Sequence, residues 1–337
     1  MKFSRIYRKK GDTSILFNWI FAIIAGAVIL MFFVKFSFVS ISGNKMLEGN
    51  RILVFLDDKL DAFGVGEGSD TINLNDDFKI GFSCGVISSG ETANNNFYER
   101  STDKVLFSPQ ILKGDEIKVW TKKWEFPYGI ATFFYLGNPK NRILFVAESY
   151  NVDEVLSIAD NIPPIFKVQV TDKQKFDPGL FLSQVKGYDK FTVVYFGTPS
   201  FTVNQLKSLY GVNVEVIIID LENNTAKIYD SFGNVYDEFY IGDEMMYGLI
   251  FSGSGYSCIK ERAIQRYQVI DSIYSDKVTR LMGKTKDQTC IDMLNEARKM
   301  LDNYRYINEK DDFYDMFDRI KKQNEDLEKK GCSGVYL

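Results

Sequence analysis

The chain has 337 residues, 45% of them hydrophobic and 26% charged, so it can bury a sizeable core and is not disordered as a whole. Its net charge of −4 argues against a general nucleic-acid-binding protein, which would carry a basic face. Histidine is absent, which excludes histidine-dependent triads and histidine-containing zinc sites. Any acid–base chemistry would therefore depend on Asp, Glu, Lys, Tyr or Cys.

An apolar segment near the N-terminus predicts a transmembrane helix at residues 13–36. Thr13 to Val34 carry no charge, and this run would reach about 33 Å as a helix, enough to cross a hydrocarbon layer of ~30 Å. Basic residues are concentrated before the run, so the positive-inside rule places residues 1–12 in the cytoplasm and the chain after about residue 37 outside. A cleaved secretory signal peptide is the alternative, but the run is long and no A-x-A site follows.

The same N-terminus is similar to an archaeal class III signal peptide. Arg8-Lys9-Lys10-Gly11 precede Asp12-Thr13-Ser14 and the apolar run, an arrangement typical of type IV pilin-like proteins. The resemblance covers about the first 35 residues. It implies that a dedicated peptidase cuts between Gly11 and Asp12 and leaves the helix as an anchoring and assembly element. The rest of the chain resembles uncharacterised membrane-anchored proteins of archaea with small genomes, a family without a known activity.

Three small residues, Ala22, Ala25 and Gly26, lie on one face of the predicted membrane helix. Small residues at this spacing let two helices approach closely, although they are also common in membrane helices that do not associate. The expected partners are therefore the lipid bilayer and, through this face, a second copy or another membrane helix. No nucleic-acid partner and no cofactor is expected.

After a linker at residues 37–50, residues 51–141 are predicted to form a β-rich domain. Short apolar runs separated by Gly, Ser, Asn and Pro are typical of strands and turns. The predicted strands are Arg51–Leu56, Phe78–Phe82, Lys104–Phe107, Ile117–Trp124 and Ile130–Leu136. Trp120 and Trp124 fall on one face of their strand, which indicates core packing.

Strands and helices alternate over residues 142–255, which predicts an α/β domain with a mainly parallel sheet. The predicted strands are Ile143–Ala147, Phe166–Val170, Thr192–Phe196, Val214–Ile219 and Tyr247–Phe251, with helices at 152–159, 180–185 and 203–210. Turn signals at Asn223-Asn224 and at Phe232-Gly233-Asn234 add antiparallel strands at the edge of the sheet. The fold class is therefore α+β or α/β.

The C-terminal segment, residues 256–337, is predicted to form three helices that pack on the sheet domain. They span about 256–282, 288–304 and 311–329. Asp287 precedes the second helix, Asp311-Asp312 open the third, and Lys329-Lys330-Gly331 close it. Acidic starts, basic ends and a following glycine suit the helix dipole and its caps.

Two strand-to-helix loops are candidate ligand sites, because free N–H groups at a helix N-terminus bind phosphate or carboxylate. The residues concerned are Gly253, Ser254, Gly255 and Ser257 in one loop and Gly197 and Thr198 in the other. The first loop matches neither G-x-G-x-x-G nor a P-loop, so a tight helix entry with a serine cap is the alternative. No catalytic residue and no metal site is predicted, and acidic pairs such as Asp57-Asp58 are interpreted as solvated turns.

Four cysteines in a chain that folds outside the cytoplasm favour two disulfides. If the last two helices are antiparallel, as their short connection favours, Cys332 returns to Cys290. If the first two helices are also antiparallel, Cys258 at the start of the first lies ~25 Å from Cys290, and a disulfide needs Cα atoms within about 7 Å. Elimination therefore pairs Cys258 with Cys84.

The one N-x-S/T sequon of the chain, at Asn223, is predicted to lie in an exposed hairpin turn and to accept a glycan. Two function classes follow from these observations. The first is a non-enzymatic surface protein, a membrane-anchored interaction or pilin-like structural module. The alternative is a membrane-tethered ligand-binding domain or enzyme that uses the strand-to-helix loops.

Overall fold

The computed structural model describes residues 12–89, 98–176, 187–198, 213–304 and 310–336. The chain divides into two compact units, residues 1–51 and residues 52–337. The class is α+β, as predicted, with two mixed six-stranded sheets and several long helices.

Helix α1 runs from Asp12 to Phe63 and contributes to both units. In the first unit, twelve large hydrophobic side chains between Trp19 and Val34 are 46–73% exposed. No helical stretch among the described residues combines the length and the apolar character that crossing a bilayer requires.

The end of α1 corrects two predictions, because residues 37–50 are helical rather than a linker and residues 51–56 are helical rather than a strand. Four buried side chains explain the helix: Ile52, Leu53, Leu56 and Leu60 repeat every three to four residues, which is the helical period. They pack against one face of the first sheet.

That sheet, sheet A, holds the first six strands. They are β1 (Gly68–Ser83), β2 (Val86–Ser89), β3 (Tyr98–Ser101), β4 (Val105–Phe107), β5 (Ile111–Glu125) and β6 (Gly129–Gly137). The spatial order is β3-β2-β1-β5-β6-β4, antiparallel except for the pair β4 and β6. Trp120 and Trp124 lie buried in the same core on the face away from α1, as their spacing predicts.

Sheet B holds the next six strands. They are β7 (Asn141–Ala147), β8 (Gln169–Asp172), β9 (Lys190–Phe196), β10 (Asn213–Asp220), β11 (Thr225–Tyr229) and β12 (Val235–Phe239). The order is β12-β11-β10-β9-β7-β8, in which β7 to β10 are parallel and the last two strands are antiparallel additions. Helix α2 (Val152–Asp160) follows β7. The predicted helices at 180–185 and 203–210 lie outside the described residues.

The remaining helices are α3 (Gly242–Ser252), α4 (Tyr256–Lys284), α5 (Gln288–Tyr304) and α6 (Lys310–Lys329), with a 3-10 turn at Gly253–Gly255. The last three were expected, but the predicted strand Tyr247–Phe251 is wrong, because it belongs to α3. Every side chain of α3 from Met245 onward is buried. A helix that is apolar on all sides lacks the amphipathic period that would distinguish it from a buried strand.

The largest core contains one face of each sheet, α3 and the buried sides of α4, α5 and α6. Gly248 of α3 packs against the ring of Phe107, since a Cβ there would lie 2.5 Å from a ring carbon. This close contact fixes α3, and with it the turn that leads into α4.

Both predicted disulfides are present, with Cα atoms 5.6 Å apart in each. The Cys84–Cys258 bond joins the turn between β1 and β2 to the first turn of α4. The Cys290–Cys332 bond joins the first turn of α5 to the segment after α6. The predicted helix layout at the C-terminus is thereby confirmed.

Candidate functional site

The strand order of sheet B reverses direction between β7 and β9, which makes this position a topological switch point. The chain passes from β7 to β8 on one side of β7, and the next strand, β9, lies on the other side. In open parallel sheets ligands bind at such a switch point, outside the carboxyl ends of the strands. Tyr150 lies in the loop after β7, and Gly197 and Thr198 follow β9.

A cavity of about 970 Å³ lies at this edge of sheet B. Small-molecule sites span roughly 300–1,000 Å³, so the volume suits a ligand of that class. Its lining includes Tyr150, Asn151, Glu154, Thr198, Asp220 and Glu222. The structure therefore places the second of the two predicted ligand loops in the wall of a cavity.

The lining of this cavity is acidic. Its ionisable residues other than Tyr150 are five carboxylates and one lysine: Glu154, Asp220, Glu222, Asp237, Glu238 and Lys227. Two of the carboxylates have a lysine partner: Asp237 pairs with Lys227 at 3.5 Å and Glu238 with Lys260 at 2.6 Å. Among the described residues, no basic side chain forms an ion pair with Glu154 or Glu222. Lys310 lies close enough to Asp220 to help lower the pKa of its carboxyl group.

Two polar side chains of the wall are held by hydrogen bonds. Asn151 donates its Nδ2 proton to the carbonyl oxygen of Phe196 at 3.0 Å, while its buried Oδ1 accepts no bond from the described residues. Asp220 accepts bonds from the side-chain and backbone nitrogens of Asn223, at 2.8 and 3.0 Å. These bonds hold the pKa of Asp220 below its ordinary value, so its carboxylate stays charged.

Gly197, at the mouth of the loop after β9, is not available to an external anion. Its N–H donates to the carbonyl oxygen of Ile219 at 3.3 Å. Its φ is +119°, and a Cβ there would lie 2.8 Å from the side chain of Glu148. Glu148 pairs with Lys173 at 2.6 Å. A carboxylate of the protein therefore already lies beside this glycine.

The other predicted loop, Gly253–Gly255, encloses the carboxylate of Glu215. The hydroxyl of Ser254 donates to Glu215 Oε1 at 2.7 Å, and the backbone N–H of Ser254 approaches the same oxygen at 3.5 Å. Lys190 Nζ lies 2.6 Å from Oε2, and Glu215 as a whole is 7% exposed. A Cβ on Gly253 would lie 1.7 Å from Oε2, so only glycine leaves room for this anion.

The two predicted loops do not form one site. Glu215 lies near the start of β10 and Asp220 ends it, a separation of about 17 Å at ~3.3 Å per residue. The Gly253–Gly255 turn thus lies at the amino end of β10, whereas Gly197 lies at the carboxyl ends of the strands. Ser257 is the second residue of α4, after the turn.

Sequence reasoning missed the burial of several carboxylates, among them Asp57 and Glu215. The pattern predicts a solvated turn at Asp57, yet Asp57 is 7% exposed and accepts bonds from Arg100 Nε at 2.7 Å and Lys104 Nζ at 2.6 Å. Burial raises the pKa of Asp57, but these bonds outweigh it and hold the pKa below its ordinary value. For Glu215 a signal existed, because a charge inside an apolar strand must be paired when it is buried.

The predicted glycosylation site, the predicted processing site and the small residues of α1 lie in different parts of the chain. Asn223 is exposed in the turn between β10 and β11, as predicted, and Gly11 lies outside the described residues. Asp12 begins α1, and on α1 Ala22 and Gly26 are exposed while Ala25 is partly buried. Within the described ranges, no group of three or more cysteine or acidic side chains is arranged to hold a metal ion.

No family model, curated protein or solved structure matches this chain. The functional argument therefore depends on the geometry and chemistry of the chain itself.

Proposed function

We propose that this protein is a single-pass membrane protein whose C-terminal part folds outside the cytoplasm and acts as a non-enzymatic interaction or pilin-like structural module. The observation that carries the proposal is the apolar surface of α1, where twelve large hydrophobic side chains between Trp19 and Val34 are 46–73% exposed. Lipid or another apolar helix ordinarily covers such a surface. The structure describes the side chains of residues 19–35 in this stretch. In the sequence, the run without charged residues is longer and spans residues 13–34.

Two further features support a location outside the cytoplasm. All four cysteines form disulfides, which persist in oxidising compartments and are rare in the cytosol. The basic residues precede the apolar run, as they do when the N-terminus stays inside. The similarity to a class III signal peptide, with its junction at Gly11, supports the pilin-like form of the proposal.

A non-enzymatic role is supported by the chemistry of the ionisable residues. Histidine is absent, and three of the buried carboxylates, Glu215, Asp57 and Glu238, are each paired with basic side chains. Paired in this way, they stabilise the fold and are not poised for proton transfer.

Membrane anchorage is tested by alkaline carbonate extraction of membranes from cells that express the full chain. The wild type is expected to stay in the pellet, and the Ile24→Lys/Val28→Lys variant to move to the supernatant, because each lysine at a helix centre costs about 3 kcal/mol. The matched control is Val65→Lys/Phe232→Lys, at positions 86% and 90% exposed outside the first unit. Extraction of the wild type would contradict the anchor.

Orientation is tested with a membrane-impermeant maleimide on intact cells. Phe232→Cys adds a thiol at a hairpin turn that is 90% exposed, and no other described cysteine is free. We expect this variant to be labelled in intact cells and a Lys9→Cys variant to be labelled only after lysis. The reverse pattern would place the folded part in the cytoplasm.

A second candidate function, a membrane-tethered ligand-binding domain or enzyme, is favoured by the cavity at the carboxyl edge of sheet B. Its lining reaches from the loops at the switch point to β10, β11 and β12, and its volume of about 970 Å³ is that of a small-molecule site. Saturable binding of a small molecule by the purified protein, lost when cavity residues are changed, would support this candidate.

A further inference from the structure

We propose that the Cys84–Cys258 disulfide is a redox-active bond, which a dithiol reduces by thiol–disulfide exchange while the protein stays folded. The inference goes beyond the proposed function, because neither an anchor nor a ligand-binding cavity requires a reducible bond. The Cys290–Cys332 disulfide is the internal comparison. In both bonds one cysteine is the third residue of a helix, Cys258 in α4 and Cys290 in α5, so the two bonds differ in their surroundings.

The first difference is access to the sulfur atoms. Cys84 is exposed in the two-residue turn between β1 and β2, and Cys258 is half-buried. Cys290 is 7% exposed, and Cys332 packs against the largest core. Exchange requires an attacking thiolate to reach one sulfur of the bond. The first bond is therefore open to attack at Cys84 in the folded protein, whereas the second is shielded on the side of Cys290.

The second difference is the backbone at the exposed cysteine. Cys84 and Gly85 form the turn between β1 and β2 with φ angles of +28° and +80°. Turns of this kind favour Asn, Asp or Gly, because other side chains crowd the backbone at positive φ. Cys84 therefore holds a strained backbone conformation. Disulfides at strained or exposed positions are the more easily reduced ones.

The third difference is the charge beside the sulfur that would leave. Arg262 lies one helical turn after Cys258, on the same face of α4. Its guanidinium group donates to the carbonyl oxygens of Cys84 at 3.4 Å and Thr102 at 2.6 Å, so the cation is held at the turn that carries Cys84. The first turn of α4 contains no acidic residue. A positive helix end and a nearby arginine both stabilise a thiolate.

Cys290 has an anion in the corresponding place. The carboxylate of Asp287 accepts the backbone N–H groups of Thr289 and Cys290, at 2.8 and 3.4 Å. It occupies the positive end of α5, and it would repel a negative charge on the sulfur of Cys290. The same position on a helix thus favours a leaving thiolate in α4 and disfavours one in α5.

The exchange balances as two steps. One thiolate of the dithiol attacks Sγ of Cys84, so that a mixed disulfide forms and the bond to Cys258 breaks. The electron pair of the broken bond goes to Cys258, which leaves as a thiolate near Arg262. The second thiolate of the reductant then attacks the mixed disulfide and releases Cys84. The reductant ends as a cyclic disulfide, and the protein gains two electrons and two protons.

Selective reduction of the full chain in detergent tests the proposal, with dithiothreitol as the dithiol. Free thiols are trapped at intervals with an excess of N-ethylmaleimide, and mass spectrometry of the peptides measures the reduced fraction of each bond. We expect Cys84–Cys258 to be reduced about tenfold faster than Cys290–Cys332, in protein that still unfolds cooperatively afterwards. With glutathione, a monothiol, the mixed disulfide should form on Cys84.

Arg262→Gln tests the contribution of the cation. Glutamine keeps a side-chain donor but removes the charge, so the reduction of Cys84–Cys258 should slow severalfold. The matched control is Arg266→Gln, which removes the same charge from an exposed position one turn further along α4. It should leave the rate unchanged.

Four outcomes would overturn the proposal. Equal reduction rates for the two disulfides would show that their surroundings do not matter, and a glutathione adduct on Cys258 would reverse the assigned roles of the sulfurs. Reduction of Cys84–Cys258 only at the rate of global unfolding, measured by dilution into urea, would make it a purely structural bond. Equal slowing by Arg262→Gln and Arg266→Gln would show that the arginine only attracts thiolates to the protein.

Discussion

Two glycine-containing turns border sheet B, at its opposite ends, and they differ in what they enclose. Gly253 and Ser254 surround the carboxylate of Glu215, which Lys190 neutralises in a buried position. Gly197 borders an open cavity, and the neighbouring carboxylate of Glu148 keeps its lysine partner at a more exposed position. The first turn is a closed structural element, and the second is a wall of a candidate site.

The comparison shows what a glycine-rich turn does and does not specify. Both turns combine glycine with Ser or Thr, a composition that leaves backbone and hydroxyl donors close to any anion. The identity of the anion depends on residues far away in sequence, since Ser254 and Glu215 are separated by 39 positions. A local motif can therefore predict that a turn attracts negative charge. It cannot predict whether a carboxylate of the same chain already occupies the turn.

The largest effect is expected from Gly253→Ala at the closed turn. The new Cβ would lie 1.7 Å from a carboxylate oxygen of Glu215, and φ is +56°. We expect a loss of about 4 kcal/mol in the free energy of unfolding, measured by urea denaturation with tryptophan fluorescence. Gly331→Ala is the control, because its φ is +73° and nothing lies within 4 Å, so it should lose only ~1 kcal/mol. Equal losses would show that the turn does not enclose Glu215 tightly.

Replacing the lysine of each ion pair tests whether the pair at the closed turn stabilises the fold more than the pair beside the open cavity. Lys190→Met leaves Glu215 buried and unpaired, which should cost about 3 kcal/mol. Lys173→Met breaks a bond of the same length, 2.6 Å, but its two side chains are 24% and 21% exposed against 13% and 10% for Lys190 and Glu215. Water can replace part of the lost interaction, so the cost should be ~1 kcal/mol. Similar unfolding midpoints for the two variants would show that the two ion pairs contribute equally, which would contradict the proposed difference between the two ends of sheet B.

The buried carboxylate of Asp57 extends the test to the pH dependence of stability. Its pKa is lower in the folded protein than in the unfolded chain, so its contribution is present above the unfolded value of ~3.9 and is lost as pH falls through the folded pKa. We expect Asp57→Asn to destabilise by about 2 kcal/mol at pH 7 and the difference from the wild type to disappear in acid. Thermal unfolding of both proteins from pH 7 down to pH 2 measures this stability difference. If the difference does not change with pH, the effect comes from packing and not from the charge of Asp57.

At high pH, the stability of this ion pair is limited by its other member, Lys104. Bonds to Asp57 and Asp61 outweigh burial and raise the pKa of Lys104. Its contribution is therefore complete below the unfolded value of ~10.4 and is lost only as pH rises through the folded pKa. Between those limits Asp57 and Lys104 are both charged.

Most of the fold could be predicted from the sequence because its elements carry strong local signals. The apolar strands of sheet B and the three C-terminal helices have clear periods, caps and turns, and the helix layout was sufficient to pair Cys290 with Cys332. The strand β1 was predicted only over its second half, since Asn and Asp residues in the first half disfavour strands. That half is extended because it pairs with β5, a long-range interaction that no local pattern contains.

The candidate site could be predicted only in part. Order along the chain places Gly197 and Thr198 after a parallel strand, and a switch point is a general location for ligands. The acidic lining could not be predicted, because Glu154, Asp220 and Glu222 come together only through the strand order of sheet B. Nor could Glu215 be assigned to the Gly253–Gly255 turn, because the sequence pattern of residues 247–251 predicts a strand where the structure has a buried helix.

The smallest effect is expected at the open end, for Tyr150→Ser. Tyr150 is 82% exposed, so its loss removes little buried apolar area, and the unfolding free energy should change by less than ~0.5 kcal/mol. Tyr256→Ser is the matched control. Tyr256 is 0% exposed and donates its hydroxyl proton to the carbonyl oxygen of Phe239 at 3.0 Å, so it should lose about 4 kcal/mol. A stability loss at Tyr150 comparable to that at Tyr256 would mean that the loop after β7 is a packed part of the core, and the open end of sheet B would then resemble the closed one.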